Sequence, residues 1–590
     1  MKLESSKKDS GAGTKNPAFH TPSAHGLDGA SCAHVPMSEY AHSVSENRLV
    51  FRLRSVKGVL NSCTLYYGDR ACRQNQVIFT SVDMCIVACD LMFDWWEAEF
   101  DTPYKRICYY FELSDGWKKT FYCADLFLDC LPLERFEYFE FPFIHRADIA
   151  NIPDWAKDAV IYNIFPDSFA TGKRFISLEA TKKEWHGEIT RGKLGGTFNG
   201  ITENAGYLKE LGVNCVYINP VFAAGEYHKY DLIDYYNADP CFGTNDDFGN
   251  MVNILHKNGI RVIVDGVFNH CGWHFFAFDD VVKNGKASKY ADWFYRLEYP
   301  VIRPENEEDI PGYECFAYER RMPKMNTTNP EVVAYFCDVC RYWLREYNID
   351  GWRLDVADEV NDSFWRSFRA AAVEANPGAL LIGEIWGDAR HWMDGSMFNS
   401  SMNYDFHKHC RDFFAKSVIN AEEFNTRVVN MLMRYRKNLL YAQLNILDSH
   451  DTARFLTVCG GDKRRLKLAV MFQMCFVGIP SIFYGDEQGI EGLTESEYRK
   501  PMTWNGDRDL LEFYQKVIKL RNNNIPLRRG GFKTLTAQGS LFAFTREYNG
   551  EEMTIALNAG EEAMKFDGQT IEPFGYFIIQ PNLPIQATGY

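Results

Sequence analysis

Between residues 155 and 524 the chain alternates apolar runs of strand length with helix-patterned stretches, an order that few folds accept. Residues 159–165 read as a strand. Residues 201–212 read as a helix closed by Gly212, with a strand at 214–219. Residues 246–258 read as a helix stopped by Gly259, with a strand at 260–267. A glycine directly after a periodic run is a common helix stop, because it accepts the left-handed backbone needed there. The order repeats with a helix at 330–347 and a strand at 349–356, then a helix at 362–375 and a strand at 379–385. Two more strands fall at 438–446 and 479–484. Such repetition builds a parallel sheet covered by helices. Residues 151–524 therefore read as a (β/α)8 TIM barrel with an insertion after its third strand, at 271–328.

The flanks have a different texture. Residues 37–150 carry short strand candidates at 48–54, 64–67, 76–80, 93–100, 106–113 and 119–122, with turns at 67–69 and 114–116. This spacing predicts an N-terminal β-sandwich. Most of its aromatics, Tyr66, Tyr67, Trp95, Trp96, Tyr109, Tyr110 and Trp117, are assigned to its core and cover. Residues 1–36, rich in Ser, Gly, Lys and His, read as a disordered lead-in, with the folded chain starting at Met37. Residues 525–590 return to short strands, such as 541–546 and 553–557, and read as a C-terminal β-sandwich.

Composition narrows the function. The net charge is −15, from 64 basic and 79 acidic residues, and no basic block stands out. Nucleic acid and anionic membranes are poor partners for such a chain. No apolar run is long enough to span a bilayer. Seventeen scattered cysteines without a framework spacing, and no secretory leader, point to the cytoplasm. Cys337 and Cys340 lie in a helix-patterned run and read as buried thiols rather than a redox pair.

The polar residues gather where strands end. Asp265, Asn269 and His270 close one apolar strand, Arg353 and Asp355 the next, Glu384 the one after, and His450 and Asp451 a later one. In a barrel these ends open on one face, where side chains meet a ligand. Along 351–355, Arg353 and Asp355 share a strand face, and a cation beside a carboxylate keeps it ionised. Two carboxyl groups flanking a sugar ring are what glycoside hydrolysis needs, and a third can steady the cationic transition state. The rival use, a hydrolytic metal, finds no H-E-x-x-H motif. No nucleotide-binding glycine motif occurs either.

These residues resemble the α-amylase superfamily, glycoside hydrolase family thirteen. The motifs are Asp265-Gly-Val-Phe-Asn-His270, Gly351-Trp-Arg-Leu-Asp355, Glu384-Ile-Trp386 and His450-Asp451, in that order. Met322-Pro-Lys-Met-Asn326 and Val356-Ala-Asp-Glu359 resemble the cyclomaltodextrinase, neopullulanase and maltogenic amylase group. Residues 91–99 with 113–116 look like that group's extra N-terminal β domain. The resemblance implies Asp355 as nucleophile, Glu384 as general acid/base and Asp451 as transition-state stabiliser. It implies that Arg353 holds Asp355, and that His228, Tyr230, Asp265, His270, Arg353, His450, Glu359 and Trp386 form the substrate-binding set. It implies cyclomaltodextrins, maltooligosaccharides, pullulan or starch as substrates, with transfer to sugar acceptors beside hydrolysis. It also implies a homodimer through the N-terminal domain, for which 93–97 and 109–111 are the docking candidates. The same-fold alternative is an α-glucosidase or oligo-1,6-glucosidase. The alternative of another class is a non-catalytic sugar-binding relative.

The sequence departs from the group in three places. The group's calcium loop follows the first barrel strand, and here it reads Phe169-Ala-Thr-Gly-Lys-Arg174, without the oxygen ligands a hard cation needs. No metal and no cofactor are expected. Gly387 stands where the group has His, and Asp358 where it has Asn.

Overall fold

Eight parallel strands close into a barrel in the computed structural model, which describes residues 27, 30–73, 76–124, 126–132, 134–171, 194–306, 308–580 and 586–588. The strands are β1 (Ile161–Ile164), β2 (Cys215–Ile218), β3 (Arg261–Gly266), β4 (Gly351–Leu354), β5 (Leu380–Gly383), β6 (Ser400–Asn403), β7 (Leu444–Ile446) and β8 (Ile479–Phe483). The first pairs with the last, Ile161 opposite Ser481, so no edge is left open. Alternation along each strand divides the core. Ile161, Cys215, Tyr217, Ile263, Leu380 and Ile382 form one cluster with residues of β6 to β8. Val216, Val262, Val264, Trp352 and Leu354 pack in the larger cluster that includes the helices. This two-sided burial is why strands β1 to β5 read as continuous apolar runs.

The helices start and stop as their sequence dictates. Thr244 and Asp247 form a capping box ahead of the helix Asn245–Lys257, and Gly259 follows it with φ of 78°. Asn329 caps Pro330–Glu346, which has proline in its first turn, and Asn361 caps Asp362–Ala375. Three barrel expectations change. The helix read at 201–212 is two helices, Phe198–Glu203 and Ala205–Leu211, separated at Asn204. The strand read at 438–446 begins as a helix, Lys437–Leu440, and only Leu444–Ile446 joins the sheet. Strand β6 was not anticipated, because Ser-Ser-Met-Asn has no apolar run. Its polar atoms bond inside the barrel instead, Ser401 to Gln443 at 2.7 Å and Asn403 to Asn445 at 2.9 Å.

The N-terminal domain is a sandwich of a five-stranded and a six-stranded sheet. It begins earlier than the sequence suggested. Cys32–Ala33 pairs with Arg48–Val56, and the buried His34 bonds Tyr109 Oη at 2.8 Å. The candidate strand at 76–80 lies at Thr80–Asp83. The turn read at 67–69 is inside the strand Ser62–Asp69. A Cβ on Gly68 would stand 2.5 Å from the Ile78 carbonyl oxygen, so this glycine serves a close chain approach rather than a turn.

The proposed docking aromatics are already occupied. Trp96, Tyr109 and Phe111 fill the sandwich core, and Trp95 joins Tyr40 in the barrel's own apolar cluster. Trp117 differs from the rest and is 93% exposed. The seat on the barrel is also ionic. Buried Arg52 pairs with Glu97 at 2.9 Å and donates to the Tyr435 carbonyl at 2.9 Å, and Lys437 bridges Glu97 and Glu99 at 2.7 Å each. The C-terminal domain has a five-stranded antiparallel sheet and a two-stranded hairpin. Cys337 and Cys340 are buried thiols. Among the described residues no helix is long and apolar enough to cross a membrane.

Candidate active site

One guanidinium organises the mouth of the barrel. Arg353, on β4 and without solvent exposure, places Nη1 2.9 Å from Asp265 and 2.8 Å from Asp355, and Nη2 2.7 Å from Glu384. Three carboxylates from three successive strand ends thus share one cation. Asp265 is closed off further by Tyr217 Oη at 2.6 Å and Tyr230 Oη at 3.0 Å. Burial raises the Asp355 carboxyl well above the usual range, and the charge of Glu384 adds to this, while Arg353 opposes both. Asp355 and Glu384 thus form a carboxylate dyad on one guanidinium.

Backbone geometry completes the link. Val356, directly after Asp355, has φ of 44°, a left-handed conformation rare for a β-branched residue. Its N–H donates to Glu384 Oε2 at 3.0 Å. Tyr404 donates to Glu384 Oε1 at 3.4 Å, and Trp386 stacks on the Tyr404 ring with centroids 3.9 Å apart.

Asp451 sits across the cleft. His450 Nε2 approaches Oδ2 at 2.9 Å and Arg499 Nη2 approaches Oδ1 at 3.1 Å. Burial works to raise this carboxyl, but His450 and Arg499 outweigh it and hold it well below the usual range. Asn219 places its amide nitrogen 3.1 Å from His450 Nδ1, and Tyr230 Oη lies 2.5 Å from Nε2.

A cleft of about 570 Å³ opens above these groups. Asp355, Glu384, Asp451, His228, Tyr230, His270, Glu359 and Trp386, all singled out from sequence, line it. Three others do not. Asp265, Arg353 and His450 are buried one layer behind, held by protein partners. His270 stacks on Phe316, and among the described residues its Nε2 has no hydrogen-bond partner. Burial, with Lys324 adding, pushes its imidazole down to about 3, so the ring is neutral at ordinary pH. Burial and Arg499 lower His228 as well.

The insertion reaches this cleft through Lys324, which bonds Asn269 and pairs with Glu359 at 3.0 Å. Beside Trp386, a Cβ on Gly387 would meet nothing within 4 Å, so this side is open by one side chain. Sequence reasoning missed Phe316, Tyr404, Arg499 and Asn219. Asn219 ends β2 and follows the same strand-end rule as the others. Phe316 and Arg499 lie in irregular segments with no period or motif to mark them. The loop read as lacking calcium ligands lies outside the described residues from Gly172 onward. Among the described residues no group of three or more His, Cys, Asp or Glu is arranged to hold a metal.

The alpha amylase catalytic domain model matches residues 163–508, more than half of the chain. The chain belongs to the α-amylase family. The alpha amylase N-terminal ig-like domain matches residues 28–145, which agrees with a sandwich that starts before Met37. The chain is 40% identical over 524 residues to a cyclomaltodextrinase of Thermoanaerobacter pseudethanolicus, covering 88% of this chain and 90% of that one. It is 39% identical over 534 residues to neopullulanase 2 of Thermoactinomyces vulgaris, covering 89% and 90%. A solved cyclomaltodextrinase superposes with a TM-score of 0.84 at 38% identity, covering 91% and 92%. This α-amylase family member is an enzyme of the glycoside hydrolase type, with the barrel and flanking β domains expected from its sequence.

Proposed function

We propose that the protein is a retaining hydrolase of α-1,4-glucosidic bonds, acting on cyclomaltodextrins and short maltooligosaccharides, and on pullulan. The observation that carries this reading is the Arg353 bridge between Asp355 and Glu384, with Asp451 facing them across the cleft. Asp355 attacks the anomeric carbon while Glu384 protonates the leaving oxygen, giving a covalent glycosyl-enzyme. Glu384 then takes a proton from water, which releases the sugar with its configuration kept. Such a path expects carboxyl groups about 5–5.5 Å apart. Asp451 stabilises the positive charge that develops on the ring. Tyr230 and Trp386 offer sugar-stacking faces, and His228 and His270 offer neutral rings to hydroxyls. The open side at Gly387 and Asp358 admits a sugar acceptor in place of water, which supports some transfer beside hydrolysis.

Buried, unbridged thiols such as Cys337, Cys340, Cys410 and Cys475 support a cytoplasmic site of action, where small rings and short chains are the glucans at hand. A homodimer through the N-terminal domain is part of this reading. Exposed apolar residues of that domain, among them Ile78, Met92, Trp117 and Phe136, are open to such a contact, whereas Trp95, Trp96 and the run 109–111 are buried. The deciding experiment follows reducing ends from β-cyclodextrin. Ring opening followed by maltose supports the assignment. Inertness on the ring, with glucose released from isomaltooligosaccharides, would favour the oligo-1,6-glucosidase alternative.

A further inference from the structure

Lys229 stands between His228 and Tyr230, which both line the cleft, but its own side chain turns inward and the residue is 4% exposed. Its backbone has φ of 62°, a left-handed conformation that is costly for a residue with a Cβ and easy for glycine. The surroundings hold it there. The loop after β2 folds back on itself, with Phe222 opposite Ala238 and Ala224 opposite Leu232, and residues 225–231 form its tip. The Lys229 N–H donates to the Glu226 carbonyl at 3.2 Å. Its Nζ reaches from the tip to the base, 2.9 Å from Asp239 Oδ2, with the Phe242 ring 5.8 Å away. Asp239 is 3% exposed, and its carboxylate also accepts from the Ala224 N–H at 3.1 Å and the Cys241 N–H at 2.9 Å.

The turn at 229 sets the ring before it. The Tyr230 N–H donates back to His228 Nδ1 at 3.0 Å. A backbone N–H can only donate, so Nδ1 is the acceptor. Burial and Arg499 push this imidazole down to about 3, so the neutral ring carries its proton on Nε2. The bond closes across residue 229 and depends on its backbone conformation. Tyr230 is fixed a second time through its phenol, which accepts from Asn219 at 3.2 Å and donates to Asp265 at 3.0 Å. Among the described residues, the His228 ring has the bond across residue 229 to fix it. We propose that Lys229 is a positioning residue for His228: its ammonium, tied to Asp239, keeps residue 229 left-handed and so sets the imidazole with Nε2 as the donor offered to a sugar hydroxyl. This rests on the reading of His228 as a sugar contact. A buried ion pair can also serve stability alone, and the test separates the two roles.

The test uses the full chain, maltotriose as substrate, and the paired variant Lys229→Met/Asp239→Asn, which avoids the unpaired charge that a single change would leave. Replacing a buried ion pair by neutral groups is often close to neutral for stability, so the melting temperature is expected within about 3 °C of wild type. The rate should not follow, and kcat/KM is expected to fall about tenfold or more. Lys229→Gly/Asp239→Asn should recover at least about threefold of this, since glycine takes the left-handed backbone readily. In a His228→Ala background the Met/Asn change should cost less than about threefold, because its effect runs through that ring. Wild-type kcat/KM in the Met/Asn pair would make the ion pair structural alone and overturn the proposal. An equal loss with and without His228 would overturn it too. If His228→Ala alone keeps wild-type kinetics, the reading of His228 as a sugar contact fails instead, and nitrogen-15 spectra of histidine-labelled protein decide the positioning. A His228 signal protonated on Nε2 alone, unchanged in the Met/Asn pair, overturns it, whereas a mixture of tautomers there upholds it. Should the Met/Asn pair not fold, Lys229→Gln/Asp239→Asn runs the same cycle with two amides.

Discussion

The Val356 N–H points at Glu384 Oε2 from 3.0 Å, and it does so from a left-handed backbone with φ of 44°. Strain of this kind costs a β-branched residue about 1–2 kcal/mol. It persists at a site where the surrounding structure fixes it. Val356→Gly should relieve the strain while freeing the backbone of the unfolded chain, two effects of similar size and opposite sign. Stability should stay within about 1 kcal/mol of wild type, while turnover falls several-fold because the N–H is no longer held on Glu384. Calorimetry beside steady-state rates would check this. A stability loss above about 2 kcal/mol would show that the side chain matters more than the backbone.

The dyad gives a second expectation. In the proposed cycle the pair Asp355 and Glu384 works with one proton between them. Rates should therefore fall when the pair gains a second proton at low pH and when it loses its last at high pH. In Glu384→Gln the basic limb of kcat against pH should vanish, since glutamine has no proton to lose. Persistence of that limb would give the acid role to another group. Asp355→Asn should cut turnover by more than about 10³-fold with little change in melting temperature, because the replacement is near-isosteric. Activity within about tenfold of wild type would remove Asp355 from the role.

Much of this site was legible because barrel strands are short and buried on both faces, so a charge at a strand end stands out. Asp355, Glu384 and Asp451 were visible in that way, as were His270 and Arg353. What the sequence did not carry was depth. Nothing in the pattern distinguishes a residue that lines the cleft, such as Tyr230, from one that stands behind it, such as Asp265. Strand β6 was hidden for a related reason, since its serines and asparagine satisfy their polarity inside the barrel. The N-terminal aromatics read as core are buried for the most part, but the sequence did not show against what. Their alternation announces burial, but not whether a partner subunit, the sandwich or the barrel provides it.

Buried histidines set the response to acid. Burial holds His34 at about 4 and His270 at about 3 in the folded protein, against an ordinary 6.5. Their folded values are lower than their unfolded ones, so below pH 6.5 the unfolded chain binds protons that the folded chain refuses. Stability is lost as pH falls from 6.5 towards 4, by up to about 1.4 kcal/mol per pH unit for each histidine. Glu97 acts in the same direction at lower pH. Burial would raise its carboxyl, but Arg52 and Lys437 outweigh burial and hold it at about 2. Its stabilisation is present above about pH 4.5 and is lost as pH falls through about 2. Melting temperature should be level above pH 7 and drop clearly between 6.5 and 4. A level curve from pH 8 down to 5 would contradict the assignment of these histidines as buried and neutral.

The last expectation concerns the bond between the N-terminal domain and the barrel. Arg52 stands on the sandwich strand Arg48–Val56 and is 1% exposed, yet its Nη1 donates to the Tyr435 carbonyl of the barrel and its Nε pairs with Glu97. Lys437, from the barrel, returns the contact to Glu97 and Glu99. Trp95 and Tyr40 extend the same seat by joining the barrel's apolar cluster. Removing one member of a buried pair leaves an uncompensated charge, which typically costs about 3–5 kcal/mol. Arg52→Ala should lose stability of that order. A chain starting near residue 151 should expose the apolar seat and leave Lys437 without its two carboxylates. It should bind a hydrophobic dye or aggregate rather than survive as an open-cleft barrel. Thermal unfolding of Arg52→Ala and dye binding by the shortened chain test the two halves separately. A loss under about 1 kcal/mol in the substitution would reduce the ion pair to a surface-like contact. A monodisperse shortened chain that melts cooperatively would show that the sandwich is an accessory to the barrel rather than part of its core.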